Sequence, residues 1–311
     1  MRIAILGKQN PLSFRQFMKE RIEAAGHEAE IRDMETRTFL DFAHELKEYD
    51  GIITCGEKLP GAAIQALAEG NVKLLSRWGV GTDEIDKAEA ARLGIAVCNA
   101  PDTLSVAVAE CCIGLMINLL REFPARDASV RRNDWSWFFD GIMSHQIEGK
   151  TVGLVGFGNI AKALAKMLTG FDCRVITCDE YSWDAEAAEK YNVEKISLDE
   201  IIDTADVISL HYASTPQTLN MVDRAFLERM KDSAILINTA RGALVEVDAL
   251  VWALKNGVIR AAGLDVWAEE PTKNVELSQH PAVSALPHVG ASTVEAQKRI
   301  GSEIVSIIEN F

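Results

Sequence analysis

Residues 151–165 read TVGLVGFGNIAKALA, and this stretch sets the fold class. A run of β-formers passes through Gly156-x-Gly158-x-x-Ala161 into a segment of helical period. Strand, glycine turn and helix in that order are the context that a dinucleotide-binding turn requires. Gly156 allows the tight turn, Gly158 lets a pyrophosphate approach the backbone, and Ala161 permits close helix–strand packing. The helix start at Asn159 and Ile160 offers unpaired N–H donors to that anion. A purely structural glycine turn is the alternative. The next strand, RVITCD, ends at Asp179, whose carboxylate suits the hydroxyls of an adenosine ribose. Asp179 and Glu180 together repel a 2′-phosphate, which favours NAD over NADP.

The βα rhythm extends both ways from this stretch. Downstream, RVITCD, DVISLHY, AILIN, AAGLDV and VSALP read as further strands separated by helices. Upstream, RIAIL (2–6), GIITC (51–55), KLLS (73–76) and IAVCN (95–99) are almost continuously apolar, as strands buried on both faces should be. Between them, segments 12–26, 61–70 and 86–94 have helical period and each closes on glycine. This alternation predicts an α/β chain of two doubly wound, parallel-sheet lobes of Rossmann-like type. The first lobe has no nucleotide fingerprint, because LGKQNP after its opening strand lacks the second glycine. It is left free for another ligand. TLSVAVAECCIGLMINLLRE (103–122) reads as a long buried helix bridging the lobes, and RRNDWSWFFDG (131–141) as an aromatic loop packing across an interface. A last helix (293–311), with Ser292 and Glu295 as a capping box, returns the chain to the first lobe.

Composition narrows the function classes. At 311 residues the chain has material for about two domains. Its net charge of −14 offers no basic field for nucleic acid or an anionic membrane. No apolar run approaches the ~18 residues of a membrane span, and the opening MRIAILGKQN is not a signal peptide. The six cysteines form no C-x-x-C pair, so reduced thiols in the cytoplasm are expected and a metal site is not.

Residues just past the C-termini of parallel strands line one edge of a sheet, where ligands bind. Arg241 follows AILIN, Asp265 and Glu270 follow AAGL, and His288 follows VSALP, all on the edge that carries the glycine turn. In the first lobe SRWGVGTD (76–83) presents Gly79 and Gly81, whose amides could hold a carboxylate. Each residue alone is ambiguous. Arg241 could be a surface ion-pair partner, Glu270 a solvated loop carboxylate, and His288 a cap. The remaining histidines, His27, His44, His145, His211 and His280, are taken as structural or exposed.

VGFGNIA, NTARGALV, GLDVWAEEP and LPHVGAST, in this order, resemble the D-isomer-specific 2-hydroxyacid dehydrogenase family. SRWGVGTDEID, NAP and EGKTVGL extend the resemblance over essentially the whole chain. It implies a flavodoxin-like substrate-binding domain formed by residues 1–100 plus 290–311, with an NAD-binding Rossmann domain, residues 101–289, inserted between. It further implies an NAD-dependent enzyme of 2-hydroxy and 2-keto acids, commonly a homodimer formed through the NAD lobe. Arg241 would hold the substrate carboxylate and polarise its carbonyl. His288 would be the acid/base, and Glu270 rather than Glu269 its partner. Thr239 and Asp265 would lie by the cofactor, and Arg77, Gly79, Val80 and Gly81 by the substrate.

The phosphoglycerate dehydrogenase branch is the nearest match, with an arginine at the Arg77 position. That branch often carries another arginine after the strand equivalent to GIITC, where this chain has Thr54, Cys55, Gly56, Glu57 and Lys58. With the sequence ending at Phe311, the regulatory domains of longer members are not expected. D-3-phosphoglycerate/3-phosphohydroxypyruvate is therefore the leading pair, with hydroxypyruvate/glyoxylate reduction as the alternative. An NAD-sensing, corepressor-like binding protein is the alternative of another class.

Overall fold

Two parallel sheets organise the chain, each within its own unit: Met1–Leu104 with Thr293–Phe311, and Ser105–Ser292. The structure, a computed structural model, describes residues 1–7, 12–34, 38–141 and 143–311. Most of the LGKQNP turn, from Lys8 to Pro11, lies outside the described residues.

In the first unit β1 (Arg2–Ile5), β2 (Glu28–Ile31), β3 (Gly51–Thr54), β4 (Leu74–Arg77) and β5 (Ala96–Cys98) run parallel in the order β2-β1-β3-β4-β5. The inner strands are apolar on both faces because helices cover both. Edge strand β2, EAEI, alternates charge with apolar residues and is absent from the sequence reading for that reason. Phe42, Leu46, Tyr49, Ile52 and Ile64 are among the residues that fill one side of this sheet. The last helix, Val294–Asn310, belongs here: Gln297 accepts a hydrogen bond from the buried Trp78 Nε1 at 2.6 Å. Its cap differs from expectation. Thr293, not Ser292, accepts the Ala296 N–H at 3.1 Å, because the helix begins at Val294 and leaves Ser292 one residue outside the cap.

In the second unit β6 (Thr151–Val155), β7 (Arg174–Cys178), β8 (Val193–Lys195), β9 (Val207–Leu210), β10 (Ile235–Asn238), β11 (Ala261–Leu264) and β12 (Val283–Ala285) lie in the order β12-β11-β10-β9-β6-β7-β8. The direction of winding reverses beside β6, the point at which open α/β sheets bind ligands. β8, a three-residue edge strand, is the other strand missing from the sequence reading. The apolar helix Ser105–Arg121 begins directly after the boundary between the units. It lies within this unit, and Cys112, Leu115, Met116 and Leu119 pack in a core with Leu154, Ile237 and Ala261.

The aromatic segment departs furthest from a core element. It forms a short helix, Ser136–Phe139, with Phe138 and Phe139 77% and 78% exposed. No helix among the described residues is long and apolar enough to cross a membrane.

Candidate active site

Because all seven strands of the second sheet are parallel, the segments that follow β6, β7, β10, β11 and β12 emerge at one edge. Gly156 leaves β6 with φ of +103°, and a Cβ on it would sit 3.0 Å from Tyr212 Cδ1 and 3.2 Å from the His211 carbonyl carbon. Torsion and space both demand glycine there. Gly158 is different, since a Cβ on it would meet nothing within 4 Å. Helix Asn159–Leu168 starts at this point with no side-chain cap on its N-terminus. Open space in front of an uncapped helix start fits an approaching pyrophosphate.

Asp179 is only 3% exposed, and its place is not the simple one expected of a ribose acceptor. Its Oδ2 accepts the Phe157 N–H at 2.5 Å, and its Oδ1 accepts those of Tyr181 and Ser182 at 2.6 and 2.7 Å. The carboxylate ties the glycine turn to the end of β7. Beside the turn, burial holds the His211 imidazole down to about 4, so it is neutral near pH 7.

The three candidate reactive side chains come from three successive loops. Thr239, just past β10, is buried and meets Cys112 Sγ at 3.1 Å through its hydroxyl. Arg241 then precedes a tight turn, Gly242–Leu244. A Cβ on Gly242 would lie 1.9 Å from the Trp267 carbonyl carbon and 2.4 Å from Ala268 N. The turn carrying Arg241 therefore rests directly on the backbone of the segment that leads to Glu270. Glu270 Oε1 accepts the Trp267 N–H at 3.0 Å, and Oε2 lies 2.7 Å from His288 Nδ1. Glu269 points elsewhere, to Lys273.

His288 itself takes φ of +57°, uncommon for a residue with a side chain. Asp265 holds it there. The His288 N–H donates to the Asp265 carbonyl at 2.8 Å, while the next two amides, Val289 and Gly290, donate to its carboxylate at 2.7 and 2.8 Å. At 2% exposure, Asp265 is a clamp on the histidine loop.

This geometry sets the protonation. The hydrogen bond to Glu270 raises the His288 pKa most; burial opposes it, the charges of Glu270 and Asp265 add to it, and that of Arg241 subtracts. Burial pushes Glu270 up, but the bonds from His288 and Trp267 and the charges of His288 and Arg241 leave its carboxyl below the ordinary value. With Nδ1–H held by a carboxylate, Nε2 is the nitrogen left to exchange a proton with a ligand.

In the first unit, Arg77 donates through Nε to the Gly81 carbonyl at 2.9 Å and through Nη1 to that of Thr54 at 3.4 Å. The Val80 and Gly79 carbonyls accept from Asn99 Nδ2 and Ala100 N at 2.6 and 3.0 Å. The three carbonyls of the Gly79–Gly81 segment are thus all engaged within the unit. Arg77 braces that segment.

Two contributors went unremarked in the sequence, Trp267 and Asn238. Asn238 is 1% exposed and ends β10, so the signal was a lone amide closing the otherwise apolar AILIN. Among the described residues no cluster of three His, Cys, Asp or Glu side chains is arranged to hold a metal.

Residues 113–290 match the family profile described as D-isomer specific 2-hydroxyacid dehydrogenase, NAD binding domain. The chain is 35% identical over 287 residues to D-3-phosphoglycerate dehydrogenase of Mycobacterium tuberculosis, covering 92% of this chain and 54% of that protein. It is 38% identical over 234 residues to the glyoxylate reductase of Thermofilum pendens, covering 74% of this chain and 69% of that one. It thus spans about half the length of the phosphoglycerate dehydrogenases it matches. Its fold is similar to that of the NAD-dependent formate dehydrogenase from Staphylococcus aureus in complex with NAD, with a TM-score of 0.85 and 29% identity over 100% of this chain and 95% of that one.

Proposed function

Because the chain belongs to the D-isomer-specific 2-hydroxyacid dehydrogenase family, we propose that it is an NAD-dependent oxidoreductase of D-2-hydroxy acids and their 2-keto acids. The observation that carries this reading is the His288–Glu270 contact of 2.7 Å, within the electrostatic reach of Arg241. NADH, held at the Gly156–Gly158 turn and the uncapped start of helix Asn159–Leu168, would supply the hydride and its electron pair that reduce C2 of the keto acid. His288 delivers the balancing proton from Nε2 to the carbonyl oxygen, which becomes the hydroxyl. Glu270 orients the imidazole through Nδ1 and stabilises its charged form. Arg241 pairs with the substrate carboxylate and draws density from the carbonyl. The amides of Gly79, Val80 and Gly81, braced by Arg77, are assigned to a substrate anion. In the oxidative direction each of these transfers reverses, and neutral His288 takes the proton.

For the substrate we favour 3-phosphohydroxypyruvate, with hydroxypyruvate and glyoxylate as the alternative, in keeping with the two kinds of relative. A panel of these three acids, followed by NADH consumption, tests both levels. Turnover of at least one is the expected result, and the highest kcat/KM identifies the branch. NADH binding without turnover across a broad keto-acid panel would favour the sensing, corepressor-like reading.

A homodimer is proposed through Trp135, Phe138, Phe139 and Met143. So many large apolar side chains exposed within one short segment mark an interface. Sedimentation should give the mass of two chains, and of one chain for Phe138→Glu with Phe139→Glu; a single-chain mass for the parent counts against it. All six cysteines are free thiols, which supports a reducing compartment, and the cytoplasm is the proposed location.

A further inference from the structure

The guanidinium of Arg241 is useful only if its backbone is held still, and the turn that bears it has no side-chain cap of its own. The hold comes from one residue at the end of β10. Asn238 Oδ1 accepts the Ala240 N–H at 3.1 Å, and Asn238 Nδ2 donates to the Arg241 carbonyl at 2.9 Å. One carboxamide therefore grips the chain on both sides of the Ala240–Arg241 peptide unit. The carbonyl of that unit, Ala240 O, accepts from Arg241 Nη1 at 2.7 Å, so the gripped peptide in turn supports the guanidinium. From below, the Asp265 N–H donates to the Asn238 carbonyl at 3.0 Å, which joins this anchor to the residue that clamps the His288 loop.

We propose that Asn238 is a positioning residue for Arg241, acting through the Ala240–Arg241 backbone and touching no substrate itself. The inference rests on the dehydrogenase reading above. A carboxamide suits the task because it alone among side chains of this length both donates and accepts from one rigid plane. Aspartate keeps the acceptor for Ala240 but sets a second oxygen against the Arg241 carbonyl. Alanine removes both bonds: the Ala240 N–H loses this acceptor, and the Arg241 carbonyl keeps only the longer bond from the Leu244 N–H at 3.2 Å. Either change lets the guanidinium drift, and a small misplacement of a substrate-orienting group is costly in rate.

The test is a double-mutant cycle on kcat/KM for keto-acid reduction, using Asn238→Ala, Arg241→Gln and their combination. Asn238→Ala should cost about tenfold in the parent, expressed mainly in keto-acid KM, and less than about twofold once Arg241 is Gln. NADH affinity should not move, and any shift of the His288 pH limb should be upward, as the lowering charge of Arg241 recedes; a general loosening of the unit would weaken NADH binding as well. Equal penalties in the two backgrounds overturn the proposal. If Asn238→Ala does not fold, Asn238→Asp replaces it in the same cycle, with the same criterion. Parent activity separates the two levels: a parent silent on every keto acid sinks the dehydrogenase reading, while an active parent with additive penalties sinks only the role of Asn238.

Discussion

Replacing His288 by Asn is expected to lower kcat for keto-acid reduction by about a hundred- to ten-thousand-fold, the span of a lost general acid. NADH affinity should change little, because the glycine turn follows β6 and His288 follows β12. The pH dependence follows from the direction of the shift. Folding raises the His288 pKa above its ordinary 6.5, chiefly through the Glu270 hydrogen bond. The imidazolium is therefore fully populated below the ordinary value and lost as pH rises through the raised one. Reduction consumes that proton, so its kcat/KM should fall with rising pH along a limb above 6.5, while oxidation rises along the same limb. Glu270→Gln removes the largest raising cause, and the limb should move to lower pH. A limb that stays put in Glu270→Gln, or full turnover in His288→Asn, would show that another group handles the proton.

Gly242→Ala should be the most damaging single methyl group in the second unit. The added carbon would lie 1.9 Å from the Trp267 carbonyl carbon and 2.1 Å from its oxygen, both backbone atoms with no rotamer to escape into. The Arg241 turn and the Glu270 segment must then part. Overpacking of this kind costs about 1–3 kcal/mol or more, so a melting temperature lower by several degrees is expected. Activity should fall by about a hundredfold, since Arg241 and Glu270 lose their relative placement. Gly158→Ala is the control, because its Cβ meets no protein atom within 4 Å. It should leave the melting temperature of the free protein alone and weaken NADH binding instead. The opposite pattern, with Gly242→Ala benign and Gly158→Ala destabilising, would mean that the two loops are not packed as described.

The contrast between these glycines marks the limit of sequence reasoning here. In the sequence both stand in motifs, Gly158 read as room for a pyrophosphate and Gly242, inside NTARGALV, given no reading of its own. Only Gly156, of the fingerprint pair, carries a positive φ and crowding; Gly158 is needed for what lies in front of it. Asp179 shows the same limit from the other side. Its type and its position after β7 were legible, but its three backbone donors come from the glycine turn and from its own loop, and only the second set is local. The edge strands β2 and β8 escaped notice because they are short and each carries two charged residues, so no apolar run announced them.

What the sequence determined by itself was periodicity and order. Apolar runs separated by helical segments specify parallel sheets, because each strand must be buried on both faces, and the fingerprint after β6 specifies which sheet takes a nucleotide. It also named Arg241, Glu270 and His288, since a strand's C-terminal end is a local property. The resemblance had already chosen Glu270 over Glu269; tertiary structure alone decided the 2.7 Å contact that Glu270 makes with the imidazole, the Asp265 clamp on the histidine loop, and the bonds of Asn238 across the Arg241 turn. Hydrogen bonds depend on distances of a few tenths of an ångström between loops from different strands, and no spacing along the chain encodes those.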